Sequence, residues 1–194
     1  MDKLLLHRIF LIPAALLTIT CILLLGGCAK YTEEIQANLI KLTTTKSCPG
    51  CDLTGVELIS ADLIGADLTG ADLTGANLNR ADLTDADLTN ANMTNANLTN
   101  TTLVKTKFVN TNLSHARLSY ANLNGSEITN VVLVDAHMNS AKIVNSKITN
   151  SDLTSANLYR ADLTGTKLSK VNFEDAVFCK TRMPSGQDDS GCKH

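Results

Sequence analysis

The chain has 194 residues, 44% of them hydrophobic, 19% charged and only 4% aromatic, with no tryptophan and a formal net charge of −2. So small a charge gives no electrostatic case for nucleic-acid binding, and so few rings exclude a conventional core built on large aromatic side chains. Six cysteines in a chain of this length do not make a disulfide-dense miniprotein.

Residues 1–28 read as an export signal. Lys3 and Arg8 form a short positive segment, residues 9–25 are apolar or uncharged, and Leu25-Gly26-Gly27 lead into Cys28. A cysteine directly after Leu-Gly-Gly resembles the lipobox of bacterial lipoproteins. That resemblance implies a signal peptide over 1–27, cleavage before Cys28, a diacylglyceryl group on its thiol and acylation of the new amine. Several acyl chains anchor stably where one does not. The family's inner-membrane retention signal would be Asp after the cysteine; Ala29 stands there, which points to the outer membrane, facing the periplasm. The competing reading is an uncleaved anchor, since residues 9–25 lie at the short edge of what spans a bilayer. Loss of residues 1–27 leaves 15 basic and 18 acidic residues, a net charge of −3.

Residues 28–47 follow as a lipidated N-terminus and a short helix. Over 31–42 the sequence predicts a short amphipathic helix, with Thr32 as N-cap, Glu33 and Glu34 in the first turn, and Ile35, Leu39 and Leu42 on one face. That face reads as a lid; a flexible tether from the lipid is the bland alternative. Next comes Cys48-Pro49-Gly50-Cys51. A redox pair would need a βαβ context and a helix N-terminus to lower the thiol pKa. Here the pair abuts a repeat, so the expected role is structural, as interior thiols or a local disulfide.

From Cys51 to Lys180 an apolar residue recurs at every fifth position, from Leu53 and Leu58 to Phe173 and Phe178. These 26 positions hold 18 Leu, 3 Ile, 2 Met and 3 Phe, and two residues earlier sits a small side chain, Ala in 15 units. The consensus is A-[D/N]-L-T-x, as in Ala71-Asp72-Leu73-Thr74-Gly75. Five residues rotate off a helix face, and on a strand they land on the opposite side. The chain must therefore turn once per unit, with Leu inward, and bury its core only by stacking. Asp or Asn, Thr, and Gly, Asn or Ser supply turn chemistry.

The motif resembles that of the pentapeptide-repeat family. The resemblance implies an all-β fold over 48–180, a right-handed quadrilateral β-helix of about 6.5 coils, four units to a coil, roughly 30 Å long at the strand spacing. Its core ladders then follow an i+20 relation: Leu53, Leu73, Met93, Leu113, Leu133, Leu153, Phe173 form one, and Leu58, Leu78, Leu98, Leu118, Met138, Leu158, Phe178 another. Residues 181–194 read as a polar, turn-rich tail that caps poorly by itself and is expected to be partly disordered. Cys179 and Cys192 can close a short loop, pinning the tail over the last coil. A zinc site of Cys48, Cys51, Cys192 and His194 fails if the rod is rigid, because the pairs lie at opposite ends.

No catalytic site is expected. His115 and His137 fall at outward positions, and the recurring glycines serve turns rather than phosphate. Outward columns include Asp67, Asp87, Lys107, Glu127, Lys147, Lys167 and Asp52, Asp72, Asn92, Asn112, Val132, Asp152, Asn172. Residues 51–100 hold eight acids and one base, whereas 101–180 hold six acids and nine bases. The expectation is a non-enzymatic scaffold or protein-interaction module, held to the cell-envelope membrane by lipid, without cofactor, metal or nucleic acid. Its expected partners are an envelope protein and a second copy through the C-terminal end. The rival readings are thiol redox or metal handling by the Cys48–Cys51 motif, and the DNA mimicry by which some members of the family bind gyrase.

Overall fold

A computed structural model describes residues 30–192. The signal segment, Cys28, Ala29 and His194 lie outside the described residues.

The period of five becomes a four-sided coil. Residue i pairs in parallel with residue i+20, so Asp52 stacks under Asp72, Asn92, Asn112, Val132, Asp152 and Asn172. The four sides are named here by their first repeat residue: Asp52, Glu57, Asp62 and Asp67. Most units contribute one bridging rung and a turn. In each turn the carbonyl of the inward Leu accepts the N–H three residues on, as Leu73 O does from Ala76 N at 3.0 Å. The fifth residue has positive φ, +65° at Gly75 and +61° at Tyr120, as a type II turn requires. Asp or Asn before the Leu steadies the turn: Asp72 Oδ1 accepts Thr74 N at 2.9 Å.

The Asp67 side differs. Strands β1 (Lys107–Val109), β2 (Glu127–Thr129), β3 (Lys147–Thr149) and β4 (Lys167–Ser169) lengthen to three residues and pair in that order. Phe108, Ile128 and Ile148 replace Leu there, followed by β-branched Val109, Thr129 and Thr149, and such residues favour extended backbone.

The interior holds the Leu columns and the small residues, nearly all buried. Several of the hydroxyls that replace Ala are satisfied from the coil before, whereas Ser126 Oγ is buried without a partner. Thr101, Thr106 and Thr111 donate to Leu78, Leu83 and Leu88 O at 2.8–2.9 Å, and Thr166 donates to Ile143 O.

Helix α1 (Glu33–Thr45) closes the first coil with Ile35, Leu39 and Leu42 buried, and Thr32 Oγ1 accepts Ile35 N at 3.2 Å. It runs three residues beyond the expected end because Thr43, Thr44 and Thr45 hydroxyls donate to Leu39, Ile40 and Lys41 O. Lys46, at φ +54°, then ends it by donating its N–H to Leu42 O. The helix also covers the coil's unpaired backbone edge: Asn38 Nδ2 donates to Asp52 O, and Tyr31 Oη accepts Glu57 N, both at 3.0 Å.

At the other end the coil does not stop at Lys180. Thr181 is buried and donates to Leu158 O, Arg182 pairs with Asp162, and Met183 packs on the core in the Leu163 column. The tail is folded: β5 (Thr181–Met183) pairs antiparallel with β6 (Gly186–Asp188). Two features missing from a purely polar reading of 181–194 account for this. The segment begins with one more repeat unit, and Cys192 is bonded to Cys179.

Candidate functional site

The outer sides of the rod are where chemistry can meet a partner, and the i+20 stacking decides which charges share a side. Counting each unit with its turn, the Asp52 side carries Asp52, Asp72, Asp135, Asp152, Glu174 and Asp175, and no lysine or arginine. The Glu57 side is its opposite. From Asn77 to Lys180 it carries Arg80, Arg117, Arg160 and Lys180, with His137, and no acid. Its one carboxylate, Glu57, is in the first coil and is bonded to Lys30 Nζ at 3.1 Å, which holds that carboxyl below its ordinary value.

The other two sides mix their signs, and some of their charges pair along the column. On the Asp67 side Lys107 meets Asp87 at 3.0 Å and Lys147 meets Glu127 at 3.7 Å. On the Asp62 side Lys46 holds Asp62 at 2.9 Å and Arg182 holds Asp162 at 3.3 Å. The Asp62 carboxyl lies below its usual value because of the bond from Lys46 and the backbone bond from Ile64. For Asp162, burial pushes upward, but the bonds from Thr164 and Arg182 outweigh it and the net shift is downward. Asparagine ladders fill the turns beside the Asp67 side, where Asn110, Asn130 and Asn150 each donate to the amide oxygen one coil earlier at 2.7–3.0 Å.

Comparison with known proteins fits this geometry. The pentapeptide-repeat family model matches in 8 copies spanning residues 51–154 and 156–184. The chain belongs to the pentapeptide-repeat family. Its fold is that family's right-handed quadrilateral β-helix. No curated protein matches the chain. Among solved structures it is similar to HetL, a pentapeptide-repeat protein involved in heterocyst differentiation regulation from Nostoc sp. strain PCC 7120, at 28% identity over 72% of this chain and 71% of that one, TM-score 0.36. It is also similar to Rfr23 from Cyanothece 51142, at 24% identity over 71% and 98% of the two chains, TM-score 0.45. QnrB1, a plasmid-mediated fluoroquinolone resistance protein, shows 18% identity over 76% and 85%, TM-score 0.49.

Within this pentapeptide-repeat rod the singled-out residues fall as follows. Leu53, Leu73, Met93, Leu113, Leu133 and Leu153 are buried in one column, and Phe173 ends it half-buried. Cys48 and Cys51 are bonded to each other and buried under α1; in that state neither offers a thiolate for redox or metal chemistry. Cys179 and Cys192 are bonded at the far end of the rod. His115 Nδ1 lies 3.6 Å from Asp135 on an exposed turn, and Ser114, its sequence neighbour, bonds to Asn112 instead. Among the described residues no group of three or more His, Cys, Asp or Glu side chains could hold a metal ion, and no helix is long and apolar enough to cross a membrane.

The sequence reading found two of the four outward columns and a gradient of charge along the rod. It missed the sharper division of charge around the rod. That division emerges only when turn residues are added to the columns, since Arg80, Arg160, Lys180, Asp135 and Asp175 all sit at the fifth position of their units.

Proposed function

We propose that this pentapeptide-repeat protein is a lipid-anchored, non-enzymatic scaffold at the bacterial cell envelope, on the outer membrane and facing the periplasm. The observation that carries the reading is Cys28 directly after Leu25-Gly26-Gly27 at the end of an apolar segment. A short stretch later the folded part begins, with Lys30 against Glu57 on the first coil. A lipid on Cys28 would thus hold the rod by its helix-closed end and present its four sides to the periplasm. Two disulfides, Cys48–Cys51 and Cys179–Cys192, suit an oxidising compartment. The solvated, turn-bound carboxylates suit contact rather than catalysis, and the partner is an envelope protein bound along a side of the rod.

The test is labelled-palmitate incorporation with membrane fractionation, comparing the wild type with Cys28→Ala. Loss of both label and membrane association in the variant is expected. Retention in the membrane without label would make residues 9–25 a transmembrane anchor. A soluble, cytosolic wild type would overturn the envelope reading and bring topoisomerase binding back for testing.

A further inference from the structure

The Asp52 side, with its carboxylates, His115 and no lysine or arginine, and the acid-free stretch of the Glu57 side are neighbours on one rod. We infer that they are the two halves of a contact between copies of this chain, the Glu57 side of one copy lying against the Asp52 side of the next.

Three observations carry this. First, the cations concerned have no carboxylate partner among the described residues. No carboxylate lies within ion-pair distance of Arg80, Arg117, Arg160 or Lys180 among the described residues, and beyond the first coil their side carries none; on the other two sides some cations, Lys107, Lys147 and Arg182, find a carboxylate on their own side, while Lys105, Lys142, Lys167 and Lys170 do not. Three of these four cations are arginine, the residue whose planar fork suits carboxylates across an interface. Arg160 is already steadied over the Tyr159 ring at 5.1 Å.

Second, the charges match by height along parallel rods. Arg80 shares its coil with Asp72, Arg160 with Asp152, and Lys180 with Asp175, while Arg117 lies one coil below Asp135. One coil is about 4.8 Å, within reach of an arginine side chain. The parallel direction of the rods rests on the proposed lipid anchor, which would set every N-terminal end at one membrane; the contact itself does not.

Third, each side carries one exposed apolar residue at mid-height. Tyr120 on the Glu57 side is 64% exposed and Val132 on the Asp52 side is 39% exposed, one coil apart. Together they give the contact an apolar centre within a charged surround.

The contact is head-to-tail, so each copy keeps one unused half. Because the two sides adjoin on a four-sided rod, each parallel copy is a quarter turn from the last, and four copies close a ring. The same charges steer the approach and make it sensitive to salt.

The experiment is native mass spectrometry and light scattering of the full-length chain in a non-ionic detergent, at low and high salt. One variant combines Arg117→Glu with Arg160→Glu; the other combines Asp72→Lys with Asp152→Lys. All four positions are on the outside of the coil, and circular dichroism checks that each variant keeps the wild-type spectrum. The wild type is expected to be a four-copy species at low salt that dissociates at high salt. Each variant alone is expected to be monomeric. Mixed, they should assemble again in 1:1 proportion, since the unaltered halves pair with each other and the two reversed halves are complementary to each other. A chain carrying all four reversals should assemble again. A wild type that stays monomeric at low salt, or variants that fail to pair on mixing, would overturn the inference. Loss in the arginine variant alone would also overturn it, by giving the Glu57 side to a different, acidic partner. Detergent removes the membrane from the readout, so failure here is distinguishable from failure of the lipid anchor.

Discussion

The two ends of the coil face the same problem and meet it unequally. Any parallel β-coil ends in unpaired backbone and half-covered core. At the first coil a helix supplies three buried side chains, and its Asn38, with Tyr31 just before it, bonds the free edge. At the last coil Leu168, Val171, Phe173 and Phe178 are only half-buried. The two rings meet edge to face at 5.3 Å, and a short hairpin is latched over them by Cys179–Cys192. The first closure is non-covalent and continuous with the core. The second is a thin cover, stacked on the coil through Thr181–Met183 and pinned by one covalent bond. Since stability in a solenoid passes between neighbouring coils, the difference teaches that fraying should begin at the C-terminal end.

The largest effect should come from the middle, where neither closure helps. Leu113→Ala in a fully enclosed column should cost about 4 kcal/mol, and Phe178→Ala, at a half-buried site, about half as much or less; urea unfolding followed by circular dichroism compares them. Equal costs would remove the distinction between middle and end. Leu42→Ala, under the helix, should cost about 3 kcal/mol and speed amide exchange in residues 48–68 without touching 150–180. Replacing Cys179 and Cys192 together by Ser frees the closing loop, worth about 3 kcal/mol at most, and should raise exchange in 168–183 alone. Thr32→Ala removes the helix cap and should cost about 1 kcal/mol, read as a small drop in melting temperature.

Acid should loosen both ends by the smallest margin. Asp62 and Asp162 are held below their usual pKa in the fold by Lys46 and by Thr164 with Arg182. A depressed carboxylate stabilises fully above its unfolded value of about 3.9 and loses that contribution as pH falls through the folded value. The melting temperature should therefore be flat from pH 8 to about 5 and fall below about 4.

Most of the fold was legible because a five-residue period permits few solutions. The inward Leu at every fifth position and the helix with its Thr32 cap and buried face follow from spacing, and the i+20 stacking from the resemblance to the pentapeptide-repeat family. The departures have local causes. The helix ran on because three threonine hydroxyls could bond backward. The tail folded because Thr181 and Met183 occupy the small and apolar positions of one more unit, disguised by Arg182 and Pro184. The lengthened strands on the Asp67 side carry β-branched residues in β1 to β3 but none in β4, so residue type alone does not account for them. The charge division between the Asp52 and Glu57 sides was present in the sequence, but it becomes visible only once turn residues are stacked in space.

Amide hydrogen exchange along the whole chain, read by mass spectrometry, tests the unequal closure most directly. Slow exchange from Leu53 through Leu163, with protection falling first across 168–183 and α1 holding the first coil, is the predicted profile. Exchange that begins at the first coil while the last stays protected would contradict it.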